Sequence, residues 1–193
     1  MTETLPVLRR RRDAATTRSA ILTAARRRLL ADSYESASLR GIAAEAKIDV
    51  ALIMRYFGSK EGLFQAVIES GSSTDLLAVA DIEDLPAALA AMVSETASDE
   101  QRVRMEIFVI MLRSASSPKA GPLIREQIRR HAIDPVAALL PEGDKFSGLA
   151  LLAILSGAGM LHWILRADGG RAERVPSGST EGYRRLFAAA LQC

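Results

Sequence analysis

The 193-residue sequence holds two histidines, His131 and His162, and one cysteine, Cys193. Nucleophilic, acid–base or metal chemistry would have to draw on these, yet no G-x-S-x-G, Walker or zinc-ligand spacing surrounds any of them. No catalytic constellation is visible, so the sequence argues against an enzyme, and no cofactor or metal is expected. A single cysteine also excludes an intrachain disulfide. Charge is the more informative chemistry. The net charge is only +2, but residues 1–60 carry twelve Lys and Arg against six Asp and Glu, and residues 61–193 carry thirteen against seventeen. A basic N-terminal third joined to a mildly acidic remainder suits a surface that binds a polyanion. Arg9 to Arg12 form an unbroken run of four within it.

The basic third also contains a packing pattern. Counted from Leu39, the fourth, eighth, tenth, fifteenth and eighteenth residues are Ile42, Ala46, Ile48, Ile53 and Tyr56. Two short helices crossing steeply over a tight turn need apolar side chains at those places, as in a helix-turn-helix. The fifth residue must be small so that the second helix can approach, and it is Ala43. The turn residue favours Gly because it is often left-handed; here it is Lys47, at a cost of about 1 kcal/mol. The pattern alone fits a DNA-binding unit and also an ordinary hairpin inside a helical bundle.

The elements that would position this unit are helical throughout. Hydrophobic residues make up 49% and aromatics only 5%, Ala and Leu dominate, and no extended run alternates apolar with polar. A first helix is expected from Thr16 or Thr17 to near Asp32, with Ile21, Leu22, Ala25 and Leu29 on one face. Ser38, Asp49 and Ser59 are placed to cap the next three helices, and Glu61 suits the positive end of the last of them. Gly71 to Asp75 reads as a break. Further helices are expected over Pro86–Thr96, Glu100–Ala115, Leu123–Leu140 with a bend at Pro135, Phe146–Ala167 and Thr180–Leu191, and Asp168 to Ser179 as a loop. Phe146 to Leu165 is twenty residues without an Asp, Glu, Lys or Arg. Its length would span a membrane, but its three Gly, Ser147, Ser156 and His162 fit a helix buried in a core or between subunits better. The polar, Arg-rich start is unlike a signal peptide, so a reducing cytoplasmic compartment, in association with the nucleoid, is expected.

Residues 17–68 resemble the N-terminal domain of the tetracycline-repressor (TetR) family of bacterial regulators. The likeness runs through Ile21-Leu22-Thr23-Ala24-Ala25, Tyr34 and Ser38-Leu39-Arg40-Gly41-Ile42-Ala43. It continues through Ala46, Ile48 and Ile53 to Arg55-Tyr56-Phe57-Gly58-Ser59-Lys60-Glu61-Gly62-Leu63-Phe64, the most specific stretch. Ser33 and Lys47 stand where the family usually has Gly, and Leu52 and Met54 where it often has a small polar residue and Tyr. The resemblance implies an all-α chain in three parts: a disordered basic arm over 1–13, a three-helix homeodomain-like helix-turn-helix domain over 14–59, and a helical-bundle effector and dimerisation domain over 60–193. It implies a sequence-specific repressor of double-stranded operator DNA. The third helix would enter the major groove with Asp49, Val50, Ala51, Leu52 and Arg55 exposed, Arg55 reaching a guanine edge. Ser38, Arg40, Tyr56 and Lys60 would contact phosphates, and Arg9 to Arg12 could reach a minor groove as an arm.

The resemblance also implies a homodimer joined through the last two helices of each subunit. Gly148, Ala153, Ser156, Gly157 and Gly159 would allow close approach, with Tyr183, Leu186, Phe187 and Leu191 on the second helix. An unidentified apolar or amphipathic effector would lie between the central helices, where Met92, Met105, Phe108, Met111, Leu112, His131, Met160 and Trp163 are the candidates. Its binding would release the DNA, and no membrane is involved. The alternative within the same class is a DNA-binding regulator or architectural protein with no small-molecule effector.

Overall fold

The computed structural model describes residues 5–71, 82–94, 99–140, 145–167 and 179–191. Among them are ten α-helices and no strand: α1 Leu5–Ala31, α2 Leu39–Ala46, α3 Val50–Phe57, α4 Lys60–Glu69, α5 Leu85–Ser94, α6 Asp99–Ser114, α7 Ala120–Ile128, α8 Asp134–Leu139, α9 Lys145–Ala167 and α10 Ser179–Ala190. The expected break beyond Gly71, Thr96 and the loop from Asp168 to Gly178 fall outside the described residues.

Two helices begin earlier than their sequence suggests. α1 starts at Leu5, so residues 5–13 are helical and not a disordered arm. Pro6 lies in its first turn, where a missing N–H breaks no hydrogen bond and the fixed φ already suits a helix. α7 starts at Ala120 and takes Gly121 and Pro122 into its first turn for the same reason. Ser117 caps it, its Oγ accepting from the N–H groups of Lys119 (3.2 Å) and Ala120 (3.0 Å). Around Pro135 the chain does not simply bend. Residues Arg129–Ile133 form a π-helical turn, in which Asp134 N–H reaches back to the Arg129 carbonyl. A proline cannot donate to the carbonyl four residues earlier and its ring crowds that carbonyl, so the widened turn accommodates it.

The chain divides into two compact units. The first is Met1–Gly71 with Glu106–Ile124, and the second is Ser72–Met105 with Arg125–Cys193. The boundary therefore does not follow residue 60: α4 and the stretch from Glu106 to Ile124 belong with the N-terminal helices. The core of the first unit draws Ile21, Ala25 and Leu29 from α1, Ile42 from α2, Ile53 from α3, and Leu63, Phe64, Val67 and Ile68 from α4. Each large apolar side chain so buried contributes about 1.5–3 kcal/mol. In the second unit Leu85, Leu89 and Val93 of α5, Val136 of α8, Leu151 and Ala158 of α9, and Phe187 and Ala190 of α10 form one cluster.

Lys47 adopts φ 55° and ψ 45°, and among the described residues it is the only non-glycine with positive φ. The left-handed turn expected between α2 and α3 is thus present on a residue that disfavours it. Lys47→Gly should stabilise the protein by about 1 kcal/mol, read as a higher urea midpoint with an unchanged m-value.

Candidate nucleic-acid interface

The geometry of α2 and α3 follows from their caps. Ser38 Oγ accepts from Gly41 N–H at 3.0 Å, and Asp49 Oδ1 accepts from Ala51 N–H at 2.6 Å. Between them the left-handed Lys47 donates its N–H to the carbonyls of Ala43 and Ala44 and turns the chain sharply. Ile53 is fully buried and pins α3 to α2. A buried Ile at the middle of a two-turn helix leaves the opposite face to solvent. That face carries Ala51, Met54 (46% exposed) and Arg55. Val50 and Leu52 are half-buried.

The residues expected to meet DNA divide by what they already hold. Arg40 and Arg55 are exposed, and among the described residues neither guanidinium has a side-chain hydrogen bond or ion pair. Asp49 is exposed, but its carboxylate caps α3, so its place is to set the helix start. Ser38 still has its hydroxyl proton to donate. Tyr56 is half-buried beside Phe57, with ring centroids 6.4 Å apart. Met54, not among the residues expected at the interface, faces outward more fully than Leu52. Lys60 is folded back: its ammonium lies 4.5 Å from the Tyr34 ring centroid and donates to the Glu35 carbonyl at 3.4 Å. To reach a phosphate it must leave those contacts.

Sequence patterning gave no sign of the clamp around the loop between α1 and α2. Arg113 Nη2 donates to the Ala31 carbonyl at 2.8 Å, Tyr34 N–H to Ser114 Oγ at 3.2 Å, and Ser117 Oγ–H to Glu35 Oε1 at 2.5 Å. Arg26 and Glu106 form a half-buried ion pair at 2.9 Å, and Lys119 pairs with Glu61 at 3.3 Å. Side chains far apart in sequence make these bonds, so no local spacing announces them. Tyr34 is buried edge-on against Phe64, centroids 5.1 Å apart. Burial, then the neighbouring Glu61 carboxylate, pushes its phenol above the usual range. Glu61 moves the other way, from 4.5 to about 2, through its own backbone N–H at the start of α4, then Tyr34, then Lys119. A carboxylate depressed on folding adds stability above its unfolded value and loses it as pH falls toward the folded one. Glu61→Gln should therefore flatten the fall in melting temperature between 4.5 and about 2, measured as thermal melts across that range.

Residues 21–67 match the profile of the bacterial regulatory proteins of the tetR family. This span takes in α2, α3 and most of α4, with Ser38, Asp49 and Ser59 at their caps. Residues 21–67 therefore have the form of a TetR-family N-terminal domain. No curated protein matches the sequence, but solved structures share the fold. NalD of Pseudomonas aeruginosa, described as the secondary repressor of the MexAB-OprM multidrug efflux pump, superposes with a TM-score of 0.64 at 20% identity, over 90% of this chain and 97% of its own. GusR of Salmonella enterica gives 0.60 at 20% identity over 100% and 99%. EbrR, described as a multidrug binding protein complexed with imidazole, gives 0.59 at 19% over 90% and 88%.

The residues a TetR-family regulator would use for effector and partner are less uniformly placed. Of the effector candidates, Leu112, His131 and Met160 are exposed, while Met92, Met105, Phe108 and Met111 are half-buried; the side chain of Trp163 lies outside the described residues. Exposure removes His131, on the π-helical turn, from any enclosed site. An open depression on the first unit, between α1 and the Glu45–Ala46 end of α2, is lined by none of the eight. Of the dimer candidates, Phe187 is fully buried in its own subunit's cluster and Tyr183 packs against it. A Cβ on Gly148 would meet Leu140 at 3.2 Å and Val136 at 3.5 Å, so that glycine serves its own subunit too. Ala153, Gly157 and Leu186 are exposed, and Ser156 is half-buried. No helix among the described residues is long and apolar enough to cross a membrane.

Proposed function

We propose that the chain is a repressor that binds a palindromic operator as a homodimer and leaves it when a small apolar or amphipathic effector binds. The observation that carries the DNA reading is the outward face of α3, where Arg55 stands exposed on a helix fixed by Ile53 and the Asp49 cap. A bidentate Arg in the major groove selects guanine, and the apolar Ala51 and Met54 beside it suit thymine methyl groups. The homodimer is supported by a solvent-facing apolar stripe: Leu149, Ala153, Gly157 and Leu161 recur every fourth residue along α9, and Leu186 stands on α10.

The effector would touch Met92 and Met105 of the second unit. Met105 packs its methyl against Gly159 of α9, 2.9 Å from where a Cβ would stand. α6 supplies Met105 to the second unit and Glu106 to the first, and its far end holds the α1–α2 loop through Arg113 and Ser114. A ligand that shifts α6 would therefore bias the unit carrying α3. The fold shared with a protein described as multidrug-binding adds analogy to this effector class. The exposure of Leu112, His131 and Met160 favours the second reading, a regulator with no effector. A thermal-shift screen of apolar compounds coupled to release from duplex DNA separates the two.

The DNA reading is tested on duplexes selected by the wild-type protein. Arg55→Ala should cost about 1–3 kcal/mol and relax preference at one base position. Lys60→Ala should weaken all sequences alike and reduce the salt slope by about 0.9 per protomer. Binding indifferent to both substitutions would contradict the assignment.

A further inference from the structure

The outward face of α3 carries an oxidisable group. Of the chain's six methionines, Met54 is the most exposed among the described residues, at 46% against 37% for Met160, while Met92, Met105 and Met111 are half-buried. We propose that Met54 is a redox-sensitive modification site, at which a peroxide converts the thioether to a sulfoxide and releases the protein from DNA. The proposal rests on the DNA-binding reading above and concerns how that same face is regulated.

Position, backbone and chemistry lead to it. Ile53 is fully buried and Asp49 caps the helix, so the rotation of α3 is fixed. At three- and four-residue spacing, Ala51, Met54 and Arg55 then share the outward face. A side chain that stands in solvent in the free protein is open to a small oxidant, and a duplex seated on that face would cover it. The backbone at Met54 is held, because its carbonyl accepts from Gly58 N–H at 2.9 Å. Ile53 is the residue that α3 gives to the core, so a change in the Met54 side chain alters the surface without unmaking the fold.

The sulfur donates a lone pair to one oxygen of hydrogen peroxide as the O–O bond breaks. The proton on that oxygen passes to the other, which leaves as water. Sulfur loses two electrons and the peroxide gains two. A flexible apolar side chain becomes a polar, chiral one. The sulfoxide oxygen only accepts hydrogen bonds. Against a thymine methyl group it loses its water without replacement, and thymine O4 and the phosphates, being acceptors, supply none. The expected loss is about tenfold per half-site and about a hundredfold for a dimer. Methionine sulfoxide reductases, one for each epimer, reverse the change.

The test uses the full-length protein, hydrogen peroxide and a duplex that the untreated protein selects. Peptide mass spectrometry should find the added oxygen at Met54 before the half-buried methionines, and later when the duplex is bound. Wild type oxidised to that point should bind about a hundredfold more weakly, with circular dichroism and light-scattering mass unchanged. The two reductases together should restore binding. Met54→Leu keeps an apolar side chain of similar volume without the thioether. With its own untreated affinity as the baseline, peroxide should leave that baseline where it is. Met54→Gln should bind weakly before treatment and no more weakly after it. Met160→Leu should be as sensitive as the wild type. Full affinity with Met54 oxidised, or a Met54→Leu protein that loses as much as the wild type, would overturn the proposal. So would recovery with dithiothreitol alone, which would assign the loss to the chain's one cysteine, Cys193. A loss that accompanies a fall in mass and disappears in Met160→Leu would place the sensitivity on α9 and overturn it as well. Any of these, with the untreated protein still selecting a duplex through Arg55, overturns this inference alone. A folded, untreated wild type that selects no duplex overturns the DNA reading with it.

Discussion

Gly62→Ala will abolish specific DNA binding while leaving the second unit folded. Gly62 lies in the first turn of α4, where its N–H donates to the Ser59 cap at 2.9 Å. The chain turns from α3 into α4 over only Gly58 and Ser59, with Gly58 at φ 76°. That sharp turn lays the Phe57 carbonyl oxygen where a Cβ on residue 62 would be. A backbone carbonyl cannot rotate away as a side chain can, so the alanine must push α4 off α3. Overpacking of this kind costs about 3 kcal/mol, a large share of the stability of a small unit. The displaced helix carries Leu63, Phe64, Val67 and Ile68, all buried, so the strain reaches the core that orients α3. Loss of protection of the α2–α4 amides in hydrogen exchange, with α9 and α10 unaffected, would show it. A Gly62→Ala protein with wild-type affinity would mean that the corner is softer than its geometry indicates.

Leu161→Glu combined with Leu186→Glu will turn the proposed dimer into a monomer and weaken palindrome binding more than a hundredfold. These side chains are 62% and 53% exposed in the single chain, on the same faces of α9 and α10 as Ala153, Gly157 and Gly182. Covering half of a leucine contributes about 1 kcal/mol, and two-fold symmetry uses each twice. The substitution removes that gain and would also bury four carboxylates without partners, a cost larger than the burial lost. Without the dimer the second half-site no longer adds effective concentration to the first. Light scattering of the eluted protein gives the mass directly. A double variant that remains dimeric would place the interface elsewhere.

The parts of the fold that follow local rules were legible in the sequence. Ser38, Asp49 and Ser59 cap α2, α3 and α4 because a short side-chain acceptor can reach the free N–H groups of a first turn. Lys47 took the left-handed conformation because the packing of Ile42, Ile48 and Ile53 demands it there, against the preference of the residue. Gly121-Pro122 looks like a boundary, yet a proline in a first turn belongs to the helix, and α1 runs back through the Arg-rich stretch before Thr16 to Leu5. The candidate site was legible where one face of a helix is fixed by a buried residue, as Ile53 fixes Arg55 outward. It was not legible where the apolar stripe is wide. Periodicity could not tell that Phe187 faces its own core and Leu186 the solvent, nor that Leu112 and Met160 point outward. The Lys60–Tyr34–Glu35 contacts and the Ser114–Ser117 clamp join distant segments, and no local pattern encodes them.

Selection of bound fragments from random duplex DNA tests the central claim most directly, with wild type and Arg55→Ala run in parallel. The wild type should enrich a palindrome whose half-sites are one helical turn, or a multiple of it, apart, each with a guanine within a thymine-rich half-site. Arg55→Ala should enrich the same spacing with that guanine position randomised. Enrichment of no palindrome by the wild type, or of an identical site by both proteins, would contradict the reading of α3 as the helix that recognises DNA.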